Sequence, residues 1–211
     1  MDGNARRAAA NGDSSDAADL KAISETLRGN REAFRSIVEH HGRMIMRLSS
    51  SFLRDRQEAE EASQEIFFKT FRSLRSFNLE KAFLPWLYAL AVNYLRTRYR
   101  QKRRREDRII TVAHEIPSED GRTDPVLAVE AAQERDRLHQ AIESLPTGVR
   151  DVVSLYYTGG LSVSQIAESL GIGSENVKSR LHRGRKGIRE YMERDATRAA
   201  EDGYTLMGND A

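Results

Sequence analysis

The sequence predicts an all-α protein: two small helical domains joined by a flexible linker, the C-terminal one containing a helix-turn-helix. Apolar residues recur at helical spacing through the first half, as Leu20, Ile23 and Leu27, then Phe34, Ile37 and Val38, then Met44, Ile45, Leu48 and Phe52. Little of the chain alternates with period two, so strands are not expected. Between residues 106 and 125 the periodicity weakens across Pro117, Ser118, Gly121, Asp124 and Pro125, with Glu115, Glu119 and Asp120 among them, which marks a linker. At 211 residues the chain suits two compact units better than one large core.

The totals exclude more than they identify. Lys plus Arg number 34 against 32 for Asp plus Glu, a formal charge of +2, so any nucleic-acid signal must come from local clustering. Cysteine is absent, which removes disulfide scaffolds, thiolate metal sites and cysteine nucleophiles and is compatible with a reducing cytoplasm. No apolar run approaches the roughly 20 residues of a membrane span, and no apolar stretch follows Arg6 and Arg7. The protein is therefore read as soluble, unexported and cytoplasmic. Residues 1–19 carry Ala, Asn, Gly, Ser and Asp without a large apolar side chain beyond Met1, and they read as a disordered tail. Residues 194–211 read as a polar tail.

The first domain spans 20–105. In the helix around Gln57 to Leu74, Ala59, Ala62, Ile66, Phe67, Thr70, Phe71 and Leu74 cover the inner side. Glu61, Gln64, Glu65 and Phe68 then point outward, and an apolar ring among acids suits a protein partner; a solvated acidic face with one half-buried Phe is the alternative. From Trp86 to Arg105 runs a helix whose later part holds Arg96, Arg98, Arg100, Lys102, Arg103, Arg104 and Arg105 with no acid among them. Such density repels itself unless a polyanion neutralises it. Leu87, Leu90 and Tyr94 are expected in the core, with Trp86, Asn93, Arg96 and Arg100 on a separate side. Together with Phe77, Asn78 and Phe83 of the preceding loop, these groups suit unstacked bases, because rings stack on any base while an amide bonds to an exposed edge. A core role is the alternative for Phe83 and Trp86.

The second domain spans 126–193. Its helices are expected over Val126–Leu145, Gly148–Tyr157, Ser162–Leu170 and Ser174–Met192, bounded by Pro146, by Gly159 and Gly160, and by Gly171. The last pair, joined by a tight turn with Gly171 and Gly173, has the parts of a helix-turn-helix, with Ser174 as the cap. Val177, Leu181, Gly184 and Ile188 fall on one side and are expected to pack on Ile166, Ala167 and Leu170. Ser179, His182, Arg183 and Lys186 point the other way, as an inserted major-groove helix requires. Lys178, Arg180, Arg185 and Arg189 on the flanks suit phosphates, while Ser179, His182 and Arg183 are the candidate base readers. His182 is a lone histidine far from acidic clusters and is not read as a metal ligand.

These residues together resemble a known family. The runs Glu58-Ala59-Glu60-Glu61-Ala62-Ser63-Gln64-Glu65-Ile66-Phe67 and Phe83-Leu84-Pro85-Trp86-Leu87-Tyr88-Ala89-Leu90-Ala91-Val92-Asn93, then Leu145-Pro146 and Gly160 to Arg185, are similar to those of extracytoplasmic-function sigma factors of bacterial RNA polymerase. The similarity runs from about Leu20 to Met192. It implies that Glu61, Gln64, Glu65 and Phe68 dock on core polymerase. It implies that Phe77, Asn78, Phe83, Trp86, Asn93, Arg96 and Arg100 take the melted minus-ten element, and that Lys178, Ser179, Arg180, His182, Arg183 and Lys186 take the minus-thirty-five duplex. Two departures stand out: Glu61 where the family's motif usually has Asp, and Leu84-Pro85 where a basic and a small residue are common.

The function so implied is binding core polymerase, recognising promoter elements and helping to melt DNA for a stress or envelope regulon, with an anti-sigma factor as a further partner. Two other classes share some of these features: a helix-turn-helix regulator that does not bind core polymerase, and an enzyme that processes nucleic acid. The enzyme needs clustered carboxylates on metal ions or an activated nucleophile. Glu58, Glu61 and Glu65 share one face, but nothing recognisable in the sequence completes such a site. No catalytic residue, metal or cofactor is assigned.

Overall fold

The computed structural model describes residues 16–106 and 125–207, so the expected linker, apart from Glu106 and Pro125 at its two ends, and most of the N-terminal tail lie outside the described residues. The elements are α1 (16–27), α2 (Ala33–Phe52), α3 (Arg56–Ser73) with a 3-10 turn (Leu74–Ser76), and α4 (Phe83–Glu106). There follow α5 (Pro125–Glu143), α6 (Thr147–Val153) with a π-helical continuation (Ser154–Thr158), α7 (Val163–Leu170) and α8 (Ser174–Met207). Among the described residues there is no strand. The chain divides into two compact units, one gathering α1 to α4 with Ser154–Lys178, the other α5 and α6 with α8 from Ser179.

In the first unit, α3 starts where the Asp55 side chain accepts the Glu58 N–H at 2.8 Å, and Ala59, Ala62, Ile66, Phe67 and Thr70 form its buried stripe. Thr70 is tolerated there because its hydroxyl donates to the Ile66 carbonyl at 2.8 Å. The stripe packs with α2, which buries Ile37, Ile45, Leu48 and Phe52. The expected core side of α4 is corrected: Leu87 is buried as read, but Leu90 and Tyr94 are only half-buried. Tyr88, Ala91, Val92 and Leu95 fill the core instead. The physical reason is that α4 is covered by α2, α3 and α7, which extends the buried sector to Tyr88 and Val92.

Tyr88 is fully buried and its hydroxyl donates to the Gly159 carbonyl at 3.1 Å. Burial pushes its phenol well above the ordinary tyrosine range, which keeps the donor neutral. A side chain at residue 159 would collide with this arrangement, since a Cβ there would stand 2.7 Å from the Leu155 carbonyl oxygen and 3.0 Å from Tyr88 Cε1.

In the second unit, Leu145, Val149 and Val153 form a buried cluster against which Ile188 packs. Gly184 lies so close to Val153 and Val149 that a Cβ would overlap Val153 Cγ2, and Gly187 stands against Leu145. The expectation that Gly184 and Ile188 pack on the helix before the turn is therefore corrected: Gly184 packs on α6, and Ile188 on the cluster that α6 forms with Leu145. Tyr191 donates to Gln140 Oε1 at 2.8 Å and Arg137 pairs with Asp195 at 3.3 Å. Past Arg194, where a polar tail was expected, α8 continues to Met207. At the other end, α1 starts at 16, and Asp19 is 3% exposed rather than part of a solvated tail.

Candidate nucleic-acid interfaces

The turn between α7 and α8 is built by local chemistry. The Ser162 side chain accepts the Gln165 N–H while Gln165 Oε1 accepts the Ser162 N–H, a reciprocal capping box that starts α7. Gly171 ends it at φ 63°, a left-handed conformation that glycine takes without a Cβ penalty. The Gly173 carbonyl accepts the Asn176 and Val177 N–H groups at 2.9 and 3.1 Å, so Gly173 rather than Ser174 occupies the cap of α8.

On α8, Val177, Leu181 and Gly184 are buried while Lys178, Ser179, His182, Arg183 and Lys186 are exposed along one face. Hydroxyl, imidazole, guanidinium and ammonium groups on such a face donate to phosphates and base edges. Lys178 is paired with Glu175 at 2.6 Å and Lys186 with Glu190 at 3.6 Å, both on the surface. Arg180 differs: it is half-buried and donates to the Gly148 carbonyl at 3.3 Å, which ties it to α6.

The aromatic loop of the first unit is more inward than its sequence reading. Phe83 is 0% and Phe77 7% exposed, packed edge to face at 5.6 Å, so both are core groups in this structure. They support Trp86, half-buried at 5.0 Å from Phe77 and 5.8 Å from Phe83. Asn78 is exposed, but its Oδ1 accepts the Glu80 N–H at 2.9 Å and so shapes the loop. Trp86 and Asn93 share an open groove of about 700 Å³ with Lys69, Tyr94, Arg98 and Gln101.

Arg96 and Arg100 do not line that groove; the first is half-buried and the second exposed. Lys69, on α3, and Tyr94, read as core, were missed. Lys69 Nζ stands 5.6 Å from the Tyr94 ring centroid. The Tyr94 phenol is raised, mainly by burial, so it stays a neutral donor.

On the outer side of α3, Glu61 and Gln64 are exposed, Glu65 is half-buried and Phe68 is 53% exposed with the Arg72 guanidinium 5.6 Å from its ring. The acids of this helix meet the bases of α4, as Lys102 pairs with Glu58 at 2.7 Å and Arg98 with Glu61 at 3.5 Å.

A helix-turn-helix with an exposed donor face, and a bundle carrying a cationic and aromatic groove, together define a DNA-binding transcription protein. Family models agree in order and position: Sigma-70 region 2 matches residues 37–105 and Sigma-70 region 4 matches residues 135–187. The ECF RNA polymerase sigma factor SigW of Bacillus subtilis is 32% identical over 182 residues, covering 82% of this chain and 95% of that protein. The RNA polymerase sigma-H factor of Pseudomonas aeruginosa is 30% identical over 181 residues, covering 83% and 94%. Among solved structures, CnrH in complex with the cytosolic domain of CnrY matches with a TM-score of 0.65 at 24% identity, covering 84% of this chain and 99% of that one, a likeness of fold. The chain belongs to the extracytoplasmic-function sigma factors, which act with RNA polymerase in transcription initiation. No helix among the described residues is long and apolar enough to cross a membrane.

Proposed function

We propose that this chain brings core RNA polymerase to promoters of a stress or envelope regulon through three surfaces. Glu61, Gln64, Glu65 and Phe68 dock on core. The groove of Trp86 and Asn93 takes bases of the melted minus-ten element, with Asn78 shaping its loop, Phe77 and Phe83 bracing it from below, and Arg96 and Arg100 close to the strand's phosphates. The face of Lys178, Ser179, His182, Arg183 and Lys186 reads the minus-thirty-five duplex, with Arg180 fixing the helix that carries it. The domains are proposed as 20–105 and 126–193 with a linker at 106–125. The observation that carries this reading is the exposed row of donors on α8 opposite the buried Val177, Leu181 and Gly184.

The chain works in the cytoplasm and catalyses no reaction itself. An anti-sigma factor is a further partner; two solved neighbours support this, since CnrH is bound to the cytosolic domain of CnrY and RpoE of Bartonella quintana to the anti-sigma factor NepR. Run-off transcription with core polymerase, followed by mapping of start sites, tests the reading. Defined starts with wild type, and their loss together with core association in the Glu61→Lys/Gln64→Lys variant at unchanged helical content, are expected. Absence of any defined start, or core pull-down retained by that variant, refutes it.

A further inference from the structure

α1 and α2 meet at a buried charge that the promoter-binding surfaces do not use. Asp19 is 3% exposed, and both of its carboxylate oxygens face imidazoles: Oδ2 lies 2.8 Å from His41 Nε2 and Oδ1 lies 3.4 Å from His40 Nδ1. One ligand atom from each of the three residues falls within 4.8 Å of the other two. We propose that Asp19, His40 and His41 form a site for a divalent cation of the zinc class, which fastens α1 to α2.

A cation beside a carboxylate removed from water offsets part of the desolvation cost of its charge. The His41 ring beside it is 2% exposed, and its Nε2 faces the carboxylate. An ion between them engages the carboxylate and both rings together and supplies two charges. Two imidazoles with one carboxylate favour Zn²⁺, Co²⁺ or Ni²⁺ over Mg²⁺ and Ca²⁺, which prefer oxygen ligands throughout.

Ligands about 2.0–2.2 Å from a tetrahedral ion lie a little over 3 Å from one another, so the present spacing needs adjustments of an ångström or so and no change of fold. His40 is half-exposed, which opens the site to solvent, and water fills the remaining coordination position.

The site also touches the base-capture region from beneath. His41 stacks on His40 at 4.6 Å and lies 5.8 Å from Phe83, which carries Trp86. An ion here therefore stiffens the floor of the groove as well as the α1–α2 junction. No sequence motif announces this, because Asp19 and His41 stand 22 positions apart in the chain.

The test uses the full chain stripped with a chelator and titrated with Co²⁺ and then Zn²⁺. One equivalent of Co²⁺ should give visible ligand-field absorption that Zn²⁺ bleaches, and Zn²⁺ should raise the thermal midpoint. His40→Ala, at a half-exposed position that leaves the fold intact, should weaken Zn²⁺ binding about tenfold or more; Asp19→Asn should lose it, while His182→Ala should keep it. Absence of the absorption, no Zn²⁺-dependent shift in midpoint, or an unchanged signal in His40→Ala would overturn the proposal.

Discussion

The reading face of α8 and the groove beside α4 place comparable chemistry on the surface by different means. On α8 the donors Ser179, His182 and Arg183 sit on one continuous helix, and their exposure follows from a rotation of about 100° per residue once Val177, Leu181 and Gly184 are buried. The groove takes Lys69 from α3 and Trp86, Asn93, Tyr94 and Arg98 from α4, above the buried Phe77 and Phe83. Its shape depends on the spacing between two helices and on the aromatic floor. A single-helix surface tolerates change in its surroundings, whereas a two-helix groove inherits every defect of the core beneath it.

Phe83→Ala should have the largest effect. Removing a fully buried ring costs about 3–5 kcal/mol of stability, read as a lower urea midpoint, with single-strand binding lost as a consequence. Asn93→Ala, at an exposed position, should leave the midpoint alone and weaken only the binding of minus-ten single strands. Weakened binding by Phe83→Ala at full stability would instead make that ring a direct contact and break the distinction.

Gly184→Val comes next. It forces a side chain into Val153 and Val149, and overpacking of this kind costs about 1–3 kcal/mol. The expected result is a lower melting midpoint together with weaker duplex binding, because α8 is pushed off α6. Arg183→Ala should cost a similar or smaller amount, about 1–3 kcal/mol of promoter affinity, with unchanged melting and a relaxed preference at one base pair. Equal loss on random DNA would assign Arg183 to phosphates.

Tyr88→Phe should have the smallest effect, about 1 kcal/mol for the bond to the Gly159 carbonyl. It also has a pH signature. Burial raises the phenol's pKa in the folded state, so on alkaline titration the unfolded chain loses this proton first. The contribution is complete below the ordinary tyrosine value of about 10 and declines above it. Chemical unfolding across alkaline pH should show that decline in wild type and less of it in the Phe variant.

The stripe of α3 was legible because Ala59, Ala62, Ile66, Phe67 and Thr70 repeat at helical period and one side of the helix meets one neighbour. The turn before α8 was legible because Ser162, Gly171 and Gly173 act within a few residues of themselves. The polar stretches around Asp19 and past Arg194 were misread where long-range partners hold them: Asp19 is held by His41, and Asp195 by Arg137. Leu90 and Tyr94 were misread because α7 covers a second side of α4, which periodicity along α4 does not reveal.

Local spacing alone determined the helical class, the helix-turn-helix, the outward residues of α3 and α8 and the family, since each depends on neighbours three or four positions away or on short motifs. Tertiary structure alone decided that Phe77 and Phe83 lie inside, that Lys69 and Tyr94 join Trp86 and Asn93, that Gly184 meets α6, and that Asp19 meets two histidines. The physical reason is that burial of a ring, a glycine or a carboxylate is set by the surface brought against it, and that surface comes from a distant part of the chain.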